Sequence, residues 1–400
     1  MGRWAVFGLW VAVVGCGPHS RGPAAAAVSV HHGGGLPDST REVLKSAAAD
    51  PAPEVRARAL AVLLLADPSP DGGPAASAGL WDPSPWVQAR VLDALAQRGA
   101  APEARARLIE VAARPDVSPY AACGVLLTLA IEGQPSGLMP LIDDRLARER
   151  APWRRVPCLL AKTVVDPAGS AAAQAELAGA LESGAVALDP VFLDRLCRHA
   201  PKALNGALVS LLGEAEDLLV LPLTIGLFER GQPAGGRGID EMLASEDPET
   251  RMGVVLRLWG VPGDRSTALL RDVAGGKASA TATLAGLALA ARGSGGPGLV
   301  EAALTGDSPE LQVYALQALA EGVVASRAGG GSRAWERLSG QGLDLALKAE
   351  RPALVAAGLA LLGTVGNSRD VVRAEPFLAS EDLELRLAAA EAIAALTMAR

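Results

Sequence analysis

Apolar residues recur along this chain at helical spacing, in short runs that each open on the same polar signal. Val55, Leu60 and Leu63 follow Asp50-Pro-Ala-Pro53-Glu54, and Val87, Leu92 and Leu95 follow Asp82-Pro-Ser-Pro85-Trp86, an offset of 32 residues. The two leucines of each copy are three residues apart, a spacing that keeps them on one face of a helix. An aspartate just outside a helix accepts orphan amide protons, and proline at its first position has φ preset and loses no intrahelical bond. No region strings β-branched and aromatic residues in alternation, so strands are not expected. The pattern predicts an all-α chain.

The signal returns at Ser118-Pro119-Tyr120, Ala151-Pro152-Trp153, Asp247-Pro248-Glu249, Asp307-Ser-Pro309-Glu310 and Glu381-Asp382-Leu383-Glu384. It resembles the HEAT repeat, whose second helix opens on Asp, Pro and a Glu-Val-Arg-like segment before an Ala/Leu run. The resemblance implies a right-handed α-solenoid of about eleven helix pairs over 38–400, several of them degenerate. The first helix is expected near Ser39, with Ser39-Thr-Arg-Glu42 as a capping box. Gly293–Gly298 and Ala328–Ser332 read as loops within the array.

The first 37 residues break this pattern. Arg3 precedes an apolar run from Trp4 to Val14, long enough for a signal peptide and too short to span a bilayer. The run ends in Val13-Val14-Gly15-Cys16, which resembles a bacterial lipobox. That likeness implies removal of 1–15 and a lipid on Cys16, with 16–37 as a flexible tether rich in Gly, Pro, Ala and Ser. By the same likeness, Gly17 after the cysteine points to the outer membrane, facing the periplasm.

Composition agrees with closely packed helices: hydrophobic residues make up 50% of the chain but aromatics only 3%, so Ala, Leu and Val must fill the core. The net charge of −7 becomes −8 without Arg3, and arginines are spread rather than clustered, which argues against a nucleic-acid partner. Cys123, Cys158 and Cys197 remain after Cys16. An odd number does not make a disulfide framework, and each lies among Leu, Val and Ala. They are expected as three small buried hydrophobes, one disulfide being the alternative.

Catalytic chemistry is sparse. His19, His31 and His32 fall in the tether and His199 stands alone, and no CxxC, HExxH, GxSxG or P-loop is present. Deoxyhypusine hydroxylases resemble this architecture but hold iron with His-Glu pairs, a dipeptide this chain lacks. Lyases built on HEAT-like repeats act on cytosolic proteins, which conflicts with export. Neither an enzyme nor a cofactor is expected. Two recurrent features remain. Asp50, Asp82, Asp247, Asp307 and Asp382 recur beside Arg56, Gln88, Arg251, Gln312 and Arg386, and read as a structural ladder linking each helix start to its neighbour. The residue after the opening proline is Glu at 54, 249 and 310, but Trp86, Tyr120 and Trp153 in three consecutive copies, with Trp81 nearby. These aromatics either fill gaps between repeats or form an exposed stripe for a protein partner. The expected function is a non-catalytic, membrane-anchored protein-binding scaffold, or else a structural spacer or assembly factor.

Overall fold

The computed structural model describes residues 36–398, apart from 68–72, 85–86, 89, 92–93, 95–101, 115–116, 118, 132–136, 184–189, 216, 262 and 330–332. Among the described residues there are helices and no strands. The chain forms two compact units: one is Lys45–Asp240, the other Glu241–Arg400 with the described residues before Lys45. The divisions fall inside α1 (Asp38–Ala47) and α12 (Pro233–Leu243).

In the first unit, α2 (Pro53–Ala66) pairs with α3 (Gly73–Leu80). Two rows of helices follow. One contains α4 (Pro102–Ala113), α6 (Leu138–Arg148), α8 (Ala171–Glu182) and α10 (Asn205–Glu214). The other contains α5 (Pro119–Ile131), α7 (Pro152–Val165), α9 (Pro190–His199) and α11 (Asp217–Glu229). Each helix but α9 packs on a member of the other row, and α5 on α7, α7 on α9 and α9 on α11 pack along the second row.

The second unit repeats the plan. Its inner row is α13 (Pro248–Trp259), α15 (Ala280–Ala291), α17 (Pro309–Ala328), α19 (Pro352–Val365) and α21 (Leu383–Met398). The outer row is α14 (Asp264–Ala274), α16 (Pro297–Thr305), α18 (Arg333–Leu347) and the short α20 (Val371–Ala374). Successive inner helices touch one another, and α14, α16, α18 and α20 pack on α15, α17, α19 and α21. The fold is therefore all-α, and each unit is a solenoid-type stack of helix pairs.

Composition explains the rows. Residues Leu284 to Ala291 of α15 are all buried, as are Ala121 to Ala130 of α5. A helix enclosed on every side is apolar all round, and Ala and Gly let its neighbours approach. The outer α14 instead buries only Ser266 and Leu270 and keeps a charged face. At one contact the approach is close enough to require glycine: a Cβ on Gly322 of α17 would sit 2.4 Å from the buried Trp335 ring of α18.

Helix starts follow the polar signal. Pro53, Pro119, Pro152, Pro248, Pro309 and Pro352 are each the first residue of a helix. Asp247 accepts from the Glu249 and Thr250 amides at 3.2 and 2.9 Å. Asp382 accepts from those of Glu384 and Leu385 at 2.8 and 3.3 Å. At α17 the cap shifts by one residue: Ser308 Oγ accepts from Leu311 N at 3.3 Å, and Asp307 is exposed. The Gly293 region is a turn between α15 and α16, but Pro297 and Gly298 already belong to α16. Gly329 ends α17, and 330–332 lie outside the described residues.

The cysteine expectation needs correcting. All three are buried, but Cys123 and Cys158 form a disulfide, with Cα atoms 4.7 Å apart, and only Cys197 is a free thiol among them. The reason is register. Cys123 lies on α5 and Cys158 on α7, two helices that pack directly, so neighbouring apolar positions of adjacent repeats meet.

Candidate functional site

The aromatic positions lie in the first unit, and two of them open α5 and α7, neighbouring helices of one row. Trp153 is the second residue of α7 and is half-buried, and the Arg154 guanidinium carbon lies 4.8 Å from its ring centroid. A cation over an indole face fixes the ring and offers a charged edge beside it. Arg154 also stands 3.8 Å from Glu149, whose other oxygen accepts from the Arg150 and Ala151 amides at 2.9 Å. Tyr120 is the second residue of α5, the same register as Trp153, but its side chain lies outside the described residues, as does Trp86 entirely. Trp81 follows α3 and is 49% exposed. Glu54, Glu249 and Glu310, which occupy the equivalent position elsewhere, are all exposed. The register is thus exposed where it holds Glu, and Trp153 on it is partly accessible.

Beside Trp153 is a hollow of about 640 Å³ between the end of α6, the start of α7 and α8, lined by Glu149, Arg150, Pro152, Arg155, Glu176 and Ser183 among others. Arg155 is committed within it: it pairs with Glu176 at 2.5 and 3.0 Å and donates to the Glu149 carbonyl at 2.8 Å and to that of Leu146. The Glu176 hydrogen bond raises the Arg155 pKa above the usual arginine value, against the desolvation that opposes it. Arg150 is exposed at the rim. The hollow brings together charges of both signs.

The ladder residues do two separate jobs. Arg56 reaches across to the next repeat and grips both oxygens of Asp82 at 2.8 Å, while a third nitrogen donates to the Asp50 and Pro51 carbonyls. Burial pushes the Asp82 pKa up, but the hydrogen bonds from Arg56 and from Ser84 N–H outweigh it and hold the carboxyl below its usual range. The other members close their own turns instead of linking repeats. Gln88 donates to Asp82 O at 2.7 Å, Gln312 to Gly306 O at 2.8 Å, Arg386 to Ser380 O at 2.8 Å, and Arg251 to Ser245 O. Each reaches the carbonyl six residues back, as Arg56 and Arg155 also do. The recurrent position is a latch on the turn before its helix.

A second set of arginines was not anticipated. Arg145 donates to the Ala112 and Arg114 carbonyls at the end of α4, at 2.6 Å each. Arg230 donates to those of Cys197, Ala200 and Pro201 at the end of α9, at 2.7 to 2.9 Å. Arg292 does the same for Leu258, Trp259 and Val261 at the end of α13. Each caps the terminus of the preceding helix in its own row, where unpaired carbonyls and the negative dipole end favour a cation. Burial lowers the pKa of Arg145 and Arg230. A sequence signal exists for two of them: Arg230-Gly231 and Arg292-Gly293 both place the glycine at φ 73° just past a helix end.

Cys16 and the tether histidines lie outside the described residues, and His199 is the exposed last residue of α9. Among the described residues no group of three His, Cys, Asp or Glu side chains is placed to hold a metal ion. None of their helices is long and apolar enough to cross a membrane.

No family model and no curated protein matches the chain. Solved structures align with it at low identity, among them the following three. An engineered protein is 16% identical, with 90% of this chain and 98% of that one covered, at a TM-score of 0.29. Kap121p is 13% identical over 88% of this chain and 45% of its own, at 0.34. Kap95 in its complex with Nup1 is 13% identical over 84% and 52%, at 0.31. The chain thus spans about half the length of Kap121p and of Kap95. TM-scores this low carry no argument, and the fold assignment rests on the helices themselves.

Proposed function

We propose that this protein is a non-catalytic, lipid-anchored scaffold of a bacterial cell envelope, which holds a protein partner against the starts of α5 and α7. The observation that carries the binding half is the register after the opening proline. It is exposed where it holds Glu54, Glu249 and Glu310, and it holds Trp153 half-exposed and Tyr120 at the matching point of the packed neighbour α5. Rigid aromatics on an exposed register bury much area on binding at little entropic cost. Trp81 and Trp86 would extend the same surface.

Two features support the envelope half. One is the run from Trp4 to Val14 ending at Cys16. The other is the Cys123–Cys158 disulfide, since such bonds persist in oxidising compartments and are rare in a mesophile's cytosol. A lipid on Cys16 would tether the array by about 21 residues spanning roughly 25 Å, and so raise its effective concentration near envelope partners. The proposed site is the outer membrane, facing the periplasm.

Alanine at Trp153 and at Trp81 tests the binding role. The expected result is loss of a co-isolated membrane protein, with thermal unfolding shifted by no more than a few degrees. An unchanged set of partners, or a collapse of stability, would instead make these rings packing residues.

A further inference from the structure

The disulfide poses a problem of access. Cys123 is 1% and Cys158 0% exposed, both enclosed between α5 and α7. Thiol–disulfide exchange needs a thiolate to meet the attacked sulfur in line, so burial excludes any exchanging molecule from the folded unit. Nor does chain entropy select this pair. Cys123 and Cys158 are 35 residues apart, and Cys158 and the free, buried Cys197 are 39 apart. Loop closure favours the shorter loop by a factor of only about 1.2. What distinguishes the pairs is packing: α5 lies directly along α7 and brings the Cys123 and Cys158 Cα atoms to 4.7 Å, while Cys197 is held on α9 against Gly226 of α11.

We propose that Cys123 and Cys158 are an oxidation site closed once, during folding, by a disulfide-bearing oxidant, and that packing of α5 on α7 both selects the pair and then seals it. In the first step one cysteine thiolate attacks a sulfur of the oxidant, forming a mixed disulfide and expelling the oxidant's other sulfur as a thiolate. In the second, the remaining cysteine thiolate, brought up as α5 docks on α7, attacks its partner's sulfur and releases the oxidant as a dithiol. Two protons and two electrons leave the pair, and the oxidant's disulfide is reduced. The same packing withholds Cys197 and bars reductants. The bond is thus a permanent clamp joining the helices that carry Tyr120 and Trp153, and not a switch. This rests on the envelope reading only for where the oxidant is met.

The test uses the full chain with Cys16→Ser, refolded from reduced urea in buffer containing oxidised and reduced glutathione. Peptide mapping after alkylation in denaturant is expected to show Cys123 joined to Cys158 and label on Cys197. Dithiothreitol should then open the bond at least about 100-fold more slowly in native buffer than in urea. Free Cys123 and Cys158, a major Cys158–Cys197 product, or equal rates of reduction with and without urea would each overturn the proposal. In a second variant, Cys197→Ser, the same pair should form in the same yield, and a drop in that yield would count against selection by packing. Because refolding requires neither export nor lipid, failure here is distinguishable from failure of the envelope reading, which fractionation of cells making wild-type and Cys16→Ser protein examines separately.

Discussion

Arg56 and Asp82 are the ladder residues whose environment makes the largest demand. Asp82 is buried, and its charge is tolerated because a guanidinium and a backbone amide meet it. Arg56→Ala would leave that carboxylate without its cation, so the first unit should lose roughly 3 kcal/mol, measured by urea unfolding at neutral pH. The pH dependence has a definite sign. The folded-state pKa of Asp82 lies below the usual aspartate range, so its contribution is complete above that range and fades as the pH falls through the lower folded value. Arg56 is held above the usual arginine value and stays protonated throughout that window. Urea midpoints compared at pH 7 and pH 3 should therefore fall further for the wild type than for Asp82→Asn. An equal fall would contradict the assignment. Asp247 and Asp382 were legible in the sequence because an N-cap bonds to amides two and three residues on. Arg145, Arg230 and Arg292 were not, because their partners lie 29–34 residues back, and only the fold brings them within reach.

At the scale of elements, the chain punctuates helix ends as clearly as helix starts. After α11, Gly231 N–H bonds to Phe228 O and Gln232 N–H to Leu227 O, both at 2.9 Å. After α15, Gly293 and Ser294 bond likewise to Ala290 and Leu289. These are Schellman closures, which require a left-handed residue just past the helix. Each leaves the preceding arginine, Arg230 or Arg292, at the point from which it caps the neighbouring helix end. Gly231→Ala should cost about 1 kcal/mol through the positive φ alone. A larger loss, of several kcal/mol, would show that the Arg230 cap had moved with it; chemical denaturation separates the two. The starts were readable from Asp and Pro, whose effect is local. The pairing of Cys123 with Cys158 was not, because periodicity places both on buried faces but does not say that those faces meet.

At the scale of the whole molecule, the pattern of helix starts correctly implied stacked helix pairs, because each copy has an apolar helix that only neighbouring helices can cover. It did not foretell two compact units, since proline-opened helix starts run on either side of residue 240. Nor does the stacking identify a partner: the proposed binding role rests on the aromatics at positions 120 and 153, where other copies of the register carry an exposed Glu. The most direct measurement of the central claim is site-specific photo-crosslinking in intact cells, with a photoreactive amino acid at Trp153 and, in parallel, at Val372, a 67% exposed apolar position away from the register. A discrete crosslinked protein from position 153 and none from 372 is the predicted result. Identical patterns at both positions, or no protein adduct at 153, would contradict a binding surface there.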